Sequence, residues 1–332
     1  MSTLAPPRPA VRASAGLRGP ARLVVRQHRR AFQLLILLTV LAVAGLVAVA
    51  LWVGHDADAF ARTGCRVGDQ SPTHACAQSV RNYLDSQLRL SHARSQVGLL
   101  TVLLPAVYGA FMAGPAIGRE LESGTHRLAW TQSVSPARWL TAKLAVPATA
   151  VVAVTLVLTA ARAWASGQAE QYTDEWYMDG LRSTGGVLPL AYALFALAVG
   201  TLVGLLLRST LRSIAVAVVV QGIAMYGFNA VRVHLWPVGT ATYHSYGIGA
   251  FHLDRWVVDT GYLTSTGERL PLDTCIDSGD TCLNALGVTG RYVDYHPESH
   301  HWPLQLVETG ILLAVAALAV YASYRLLHRL HG

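Results

Sequence analysis

Long apolar runs alternate with polar segments along the whole chain, and six of these runs are nearly free of charged residues. Each run approaches the roughly 20 residues that a helix needs to cross about 30 Å of hydrocarbon. A water-soluble core rarely needs even one such run. The pattern therefore predicts an all-α membrane protein with six transmembrane helices, at about residues 31–53, 96–118, 144–161, 183–207, 213–231 and 302–324.

The charged residues between the runs are sorted by sign. The N-terminal arm, the second and fourth loops and the C-terminal tail are rich in arginine, and their only acidic residues are Glu120 and Glu122. Because Lys and Arg near span ends are retained in the cytoplasm, both termini are predicted to lie on that side of the plasma membrane. The net charge of +7 then reflects topology and contact with anionic lipid, and no nucleic-acid partner is expected.

The four cysteines all lie in segments that the charge rule places outside the cell, where disulfides form. Proximity in the sequence favours the pairs Cys65 with Cys76 and Cys275 with Cys282, although four cysteines allow three connectivities. Free thiols or a metal site are the alternative, but neither pair has zinc-finger spacing.

The polar segments differ in length and composition. Residues 1–20 are rich in Pro, Ala and Arg without periodicity and predict a disordered basic arm, whereas residues 21–332 form the membrane domain. Basic and apolar residues mix over Arg22 to Phe32, which predicts a short amphipathic helix on the inner membrane surface. Helical spacing recurs near residues 80–90 of the first outer loop. The long, aromatic fifth loop, 232–301, predicts a structured outer cap.

The second loop, on the predicted inner side, reads as helix, break, helix, break, helix. Gly124 suits the left-handed position that ends a helix, and Thr125 can cap the next one. Ser135 followed by Pro136 is typical of an N-cap and a first helical position. A short transverse helix over about residues 125–132 is therefore predicted. Its aromatic and basic side chains indicate a docking surface, and these are His126, Arg127 and Trp130. The alternative is an interfacial turn whose side chains lie among the lipid headgroups.

Several residues inside the spans are candidates for contacts between helices or with a substrate. The small-residue patterns Gly114-x-x-x-Gly118 and Ala196-x-x-x-Gly200-x-x-x-Gly204 predict close helix contacts. Seven residues in spans two and five are candidates for the lining of a substrate cavity: Tyr108, Phe111, Met112, Gln221, Met225, Tyr226 and Asn229. Packing between helices explains most of them equally well.

Two further sites involve ionisable residues near the outer surface. Glu308 is the only acidic residue inside a span, and its position favours a structural carboxylate over a substrate or proton site. A histidine cluster with nearby carboxylates has partial zinc-ligand spacing. Two prolines interrupt that segment, so a polar collar before the sixth span is favoured over a metal site. The cluster comprises His296, His300 and His301, with Asp294 and Glu298.

The second loop also carries a family resemblance. Gly118 to Leu144, reading GRELESGTHRLAWTQSVSPARWLTAKL, closely resembles the cytoplasmic loop of bacterial ATP-binding-cassette (ABC) type-2 permeases, particularly an actinobacterial group. Three other stretches look like the same group: Arg26 to Arg30, Pro189 to Ala196 and Trp302 to Gly310. The resemblance runs from about Arg26 to the C terminus, and the inner loop is its specific part.

The resemblance implies an exporter subunit with an elbow helix before the first span, a coupling helix between spans two and three, and an outer cap. It also implies partners: a second permease protomer, expected to be identical, and cytoplasmic ABC ATPase subunits that hold ATP and Mg²⁺. The chain has no G-x-x-x-x-G-K-[ST] phosphate loop, so no cofactor and no enzymatic activity are expected in it.

The resemblance assigns coupling to the ATPase to Glu120, Glu122, Gly124, Thr125, His126, Arg127 and Trp130. The two glutamates either pair with Arg127, Arg138 or a basic patch on the ATPase, or are solvated charges at a helix end.

The predicted function is export of a small molecule, peptide or lipid-like substrate. The alternatives are an ABC-like sensor or resistance module without transport and a metal-dependent membrane enzyme that uses the outer histidines.

Overall fold

The computed structural model describes residues 18–68, 74–125, 135–167, 186–243, 255–275 and 279–329. Within these ranges, six helices are long and apolar enough to cross a membrane, which confirms the predicted multi-pass architecture. The helices are α1 (Arg18–Gln27), α2 (Arg29–Ala61), α3 (His74–Glu122), α4 (Pro136–Ser166), α5 (Leu188–Leu207), α6 (Thr210–Val231), α7 (Gly279–Ala285) and α8 (His301–Arg329). The six long helices are α2 to α6 and α8. Residues 1–17 of the predicted disordered arm lie outside the described residues.

Several helices extend beyond their predicted spans. Helix α3 has 49 residues because the helical segment predicted near residues 80–90 runs without a break into the second span. Its first turns are polar, so hydropathy alone could not join the two parts. The amphipathic helix predicted over Arg22 to Phe32 is shared between two helices in the structure, because α1 ends at Gln27 and α2 begins at Arg29.

The cap between α6 and α8 contains a β-sheet, so the prediction of an all-α protein was wrong for this region. Strands β1 (Gly239–Tyr243), β2 (Trp256–Thr264), β3 (Arg269–Pro271) and β4 (Val288–His296) form one antiparallel sheet in the order β1-β4-β2-β3. Strands β2 and β4 are rich in the β-branched and aromatic residues that favour strands.

Helices α3 and α5 form the centre of the bundle. Two-thirds of the apolar segment of each is buried, against 17–28% for the other four spanning helices. One core cluster joins α3 to α2 and α4, and a second joins α3 and α5 to α6 and α8. A third cluster, around Ile117 and Trp139, closes the end of the bundle that carries α1. We call this the α1 end and the opposite one the cap end.

Glycines bring the backbones of α3 and α5 into direct contact, as the small-residue patterns predict. A Cβ atom built on Gly204 would lie 2.6 Å from the carbonyl oxygen of Gly114, and one on Gly114 would lie 2.9 Å from that of Gly200. Real Cβ atoms do not approach backbone so closely, so only glycine fits at these positions. The contact therefore lies within one chain.

We expect Gly204→Ala to destabilise the protein, because the added methyl group must push the backbones of α3 and α5 apart. Overpacking of this kind costs about 1–3 kcal/mol. Thermal unfolding of the purified protein in detergent measures the effect. Gly45→Ala in α2 is the matched control, since a Cβ there meets nothing within 4 Å. Equal unfolding temperatures for the two variants would contradict the close contact.

Candidate functional site

The loop between α3 and α4 is bounded by the signals that the sequence predicts. Helix α3 ends at Glu122, and Gly124 has a left-handed φ of +71°. At the other boundary, the Ser135 hydroxyl accepts a hydrogen bond of 3.4 Å from the backbone N–H of Arg138, with Pro136 as the first residue of α4. The predicted transverse helix, with His126, Arg127 and Trp130, lies outside the described residues except for Thr125 and stays a prediction.

Glu120 connects three helices at the α1 end. Its Oε1 atom accepts a hydrogen bond of 2.6 Å from the ammonium group of Lys143 in α4 and one of 3.3 Å from the amide of Gln27 in α1. Its Oε2 atom accepts one of 2.9 Å from the indole N–H of Trp139. Lys143, the sole lysine, is only 5% exposed. A buried ammonium group needs a counter-charge, so the Glu120 carboxylate holds α4 to the end of α3 through Lys143. The hydrogen bond from Gln27 adds α1 to the same cluster.

His28, at the junction of α1 and α2, lies in the electrostatic field of this cluster. Burial lowers the pKa of the His28 imidazole, and the positive charge of Lys143 lowers it further. The junction between α1 and α2 therefore favours a neutral histidine.

Glu122 caps the first turn of α6. Its Oε2 atom accepts hydrogen bonds of 3.1 Å from the backbone N–H of Thr210 and 3.0 Å from its hydroxyl. Ser209, the residue at the N-cap position of α6, makes no side-chain cap of its own. A residue at the end of α3 thus supplies the acceptor that a helix N-terminus requires. Both glutamates of the predicted coupling site therefore bind groups of their own chain. The sequence pattern suggested Arg127 or Arg138 as partners within the chain and did not indicate Lys143, Trp139, Gln27 or Thr210.

A buried ion pair joins three helices at the cap end. The Glu308 side chain of α8 is fully buried, and its Oε2 atom accepts a hydrogen bond of 2.8 Å from Nε of Arg232, next to the end of α6. The hydroxyl of Tyr192 in α5 donates to Oε1 at 2.5 Å. Arg232 also donates to Oε1 at 3.2 Å. Each carboxylate oxygen is thus satisfied, as expected for a structural carboxylate.

We expect Arg232→Met to destabilise the protein by about 3–5 kcal/mol, because it leaves the buried Glu308 carboxylate without its counter-charge. The double variant Arg232→Met/Glu308→Leu removes both charges and should recover most of that loss. Thermal unfolding in detergent distinguishes the two variants. A double variant as unstable as the single one would show that the ion pair is not the source of the effect.

The histidines of the cap base contact one another and their surroundings. The Nδ1 atoms of His296 and His300 lie 3.0 Å apart, and Nε2 of His296 lies 2.9 Å from the carbonyl oxygen of Val233. Two other members of the predicted cluster have different partners, since Asp294 binds Arg269 and His301 lies 3.0 Å from the amide of Gln305. Among the described residues, no three such side chains form a group that could hold a metal ion.

The stability of the cap should fall in acid. Burial lowers the pKa of the fully buried His296 below its ordinary value of about 6.5. As the pH falls below about 6.5, His296 is protonated in the unfolded chain before it is protonated in the folded cap. The neutral His296 side chain therefore contributes fully to the stability of the fold above about pH 6.5, and this contribution is lost as the pH falls further.

Thermal unfolding in detergent, followed by tryptophan fluorescence, measures the effect at each pH. Trp256, whose ring centroid lies 5.5 Å from that of His296, is one of the eight tryptophans that contribute to the signal. We expect the wild-type unfolding temperature to fall below about pH 6.5 and the profile of His296→Gln to be flatter. Parallel profiles for the two proteins would contradict the role of His296.

The predicted cavity residues do not lie together in one chain. Tyr108 and Met112 are buried in the cluster with α2 and α4, and the Tyr108 ring packs on Phe32 with centroids 5.8 Å apart. Met225 belongs to the cluster with α5 and α8. Gln221 is buried on α6, and its amide atoms have no hydrogen-bond partner among the described residues. The remaining three are exposed: Phe111, Tyr226 and Asn229.

Both predicted disulfides are present. Cys65 and Cys76 are bonded and tie the end of α2 to the start of α3. Cys275 and Cys282 are bonded between a 3-10 turn and α7 in the cap. All four cysteines therefore stabilise the polar segments at the cap end, where each pair closes a short loop.

A bundle of six apolar helices, closed by polar clusters at both ends and carrying a disulfide-bonded cap, defines a multi-pass membrane protein. Residues 36–232, more than half of the chain, match the family model described as ABC-2 membrane transporter related. The chain therefore belongs to this family of ABC-2 type permeases and is a membrane transporter subunit. Comparisons with curated proteins and with solved structures give no match.

Proposed function

We propose that the chain is the membrane permease of an ABC exporter in the bacterial plasma membrane. Both termini and the loop 123–135 face the cytoplasm, and the disulfide-bonded cap faces outward. ATP hydrolysis takes place on a separate ABC ATPase, and the permease moves a small molecule, peptide or lipid-like substrate outward. Family membership supports the ATPase partner and the membrane location, and the arginine-rich inner segments support the orientation.

The observation that carries the proposal is the way in which the loop 123–135 is attached to the bundle. Just before the loop, Glu120 binds α1 and α4, and Glu122 binds the first turn of α6. A force on this loop therefore reaches four helices through charged and capping contacts. Rigid elements joined in this way can transmit the closure of an ATPase to the transmembrane helices.

In this mechanism the loop contacts the ATPase through His126, Arg127 and Trp130, and the glutamates anchor it. The two roles are separable by mutation. Arg127→Glu reverses a charge on the docking surface and should weaken binding of the ATPase. Glu120→Gln leaves that surface intact but removes the charge that holds Lys143, so it should weaken transmission while the complex still forms.

The experiment is co-purification of the permease with its ABC ATPase, followed by ATPase turnover and substrate transport in liposomes. Glu120→Gln should retain the complex and lower coupled turnover several-fold, since coupling changes of about 0.5–2 kcal/mol are usual for such positions. Asp85→Asn is the matched control, because it removes an exposed carboxylate at the other end of α3. Normal coupling in Glu120→Gln together with normal complex formation in Arg127→Glu would contradict the proposal.

We further propose that a second copy of the chain covers part of α6. This helix is the least buried of the six spans, and its exposed side includes the polar residues Tyr226, which is 78% exposed, and Asn229. An uncovered amide is costly against lipid, so a partner helix is the more favourable neighbour. Most of the large exposed side chains of α8, by contrast, are aliphatic and suit lipid.

Ile223→Cys on α6 should therefore form a cross-linked dimer in membranes treated with an oxidant. Leu318→Cys on α8 is the control, because both side chains are 66% exposed. Cross-linking through α8 but not through α6 would place the second protomer against α8 and refute this assignment.

A further inference from the structure

A groove opens between α1 and the ends of α3 and α4, with a volume of about 980 Å³. A cavity of this size is large enough for a ligand of many atoms, and far larger than a free phosphate needs. One wall is the apolar side of α1 with Leu23 and Val24, and the opposite wall includes Trp139 and Ala142. Ser123 and Thr125, where the loop to α4 begins, also line the groove.

The charges in the groove are arranged for an anion beside an apolar wall. Lys143 and Glu120 line it but neutralise one another in their ion pair. Arg26 and Arg119 also line it, and both are exposed. No ion pair or hydrogen bond of either guanidinium group is found in the described part of the chain. Two positive charges that no described residue compensates therefore lie next to an apolar surface.

The position of α1 in the chain suggests that the groove faces the membrane surface. Helix α1 leads directly into the spanning helix α2, and α3 ends beside it. An amphipathic helix in this position lies among headgroups, with apolar side chains toward the acyl chains. Arginines at this depth attract anionic lipids.

We propose that this groove binds one anionic phospholipid. Its phosphate group contacts Arg26 and Arg119, and the upper part of an acyl chain lies along Leu23 and Val24. The bound lipid would contact the start of the loop 123–135 and link α1 to it. The proposal requires neither an ATPase nor a transported substrate, so it stands or falls independently of the function proposed above.

Native mass spectrometry of the purified full-length chain in mild detergent tests the site. The protein is titrated with phosphatidylglycerol and, separately, with phosphatidylcholine that has the same acyl chains. We expect one phosphatidylglycerol per chain at concentrations where phosphatidylcholine binds far less. Soluble glycerol phosphate at the same concentration should not displace it, because it lacks the acyl chain that the apolar wall contacts.

Three variants locate the lipid. Arg26→Gln/Arg119→Gln should weaken phosphatidylglycerol binding by roughly tenfold, because it removes both positive charges from the groove. Leu23→Glu places a carboxylate on the exposed apolar wall and should weaken it similarly; Leu23 is 64% exposed, so folding is not at risk. Arg22→Gln is the control, since this exposed arginine of α1 does not line the groove.

Several results would overturn the proposal. These are equal binding of the two lipids, displacement by glycerol phosphate alone, or equal phosphatidylglycerol binding by wild type and the groove variants. If the groove variants bind lipid normally but fail to co-purify with the ATPase, the groove is a protein-docking surface instead.

Discussion

The close contact between α3 and α5 determines how the rest of the bundle is arranged. Because Gly114, Gly200 and Gly204 carry no side chains, the two backbones touch, and each helix then offers its remaining faces to other helices. Helices α2 and α4 pack on α3, and α6 and α8 complete the other side. In a membrane, where lipid is as apolar as the side chains, such tight packing replaces the hydrophobic effect as the force between helices.

Polar clusters then fix both ends of this central pair. At the α1 end, Glu120 and Glu122 extend from α3 to α1, α4 and α6, and at the cap end Glu308 joins α5, α8 and the end of α6 through Tyr192 and Arg232. A displacement of the loop 123–135 would therefore move several helices together. The second cluster lies where the chain leaves α6 for the cap.

Local signals made much of this architecture predictable. Spans, glycine contacts, the left-handed Gly124, the cap at Ser135 and both disulfides follow from hydropathy, spacing or proximity within the sequence. The features that were missed depend on distant partners. Strand β1 pairs with β4 about 50 residues away, Glu308 pairs with Arg232 across the whole cap, and Glu122 binds Thr210 from another part of the chain. No periodicity within a segment records such contacts. The candidates for a substrate cavity are divided between two core clusters and the exposed surface of one chain, because helical spacing does not say which neighbour a face meets. A cavity built from them stays a prediction.

Coupling to a cytoplasmic ATPase requires the loop 123–135 to lie on the cytoplasmic side, and site-directed labelling tests this most directly. All four native cysteines are disulfide-bonded, so a single cysteine introduced by Thr125→Cys or by Thr266→Cys in the cap provides a unique thiol. With a membrane-impermeant maleimide, the cap cysteine should react in intact cells and the loop cysteine only after permeabilisation. Labelling of Thr125→Cys in intact cells would contradict the account, because no cytoplasmic ATPase could then reach the loop.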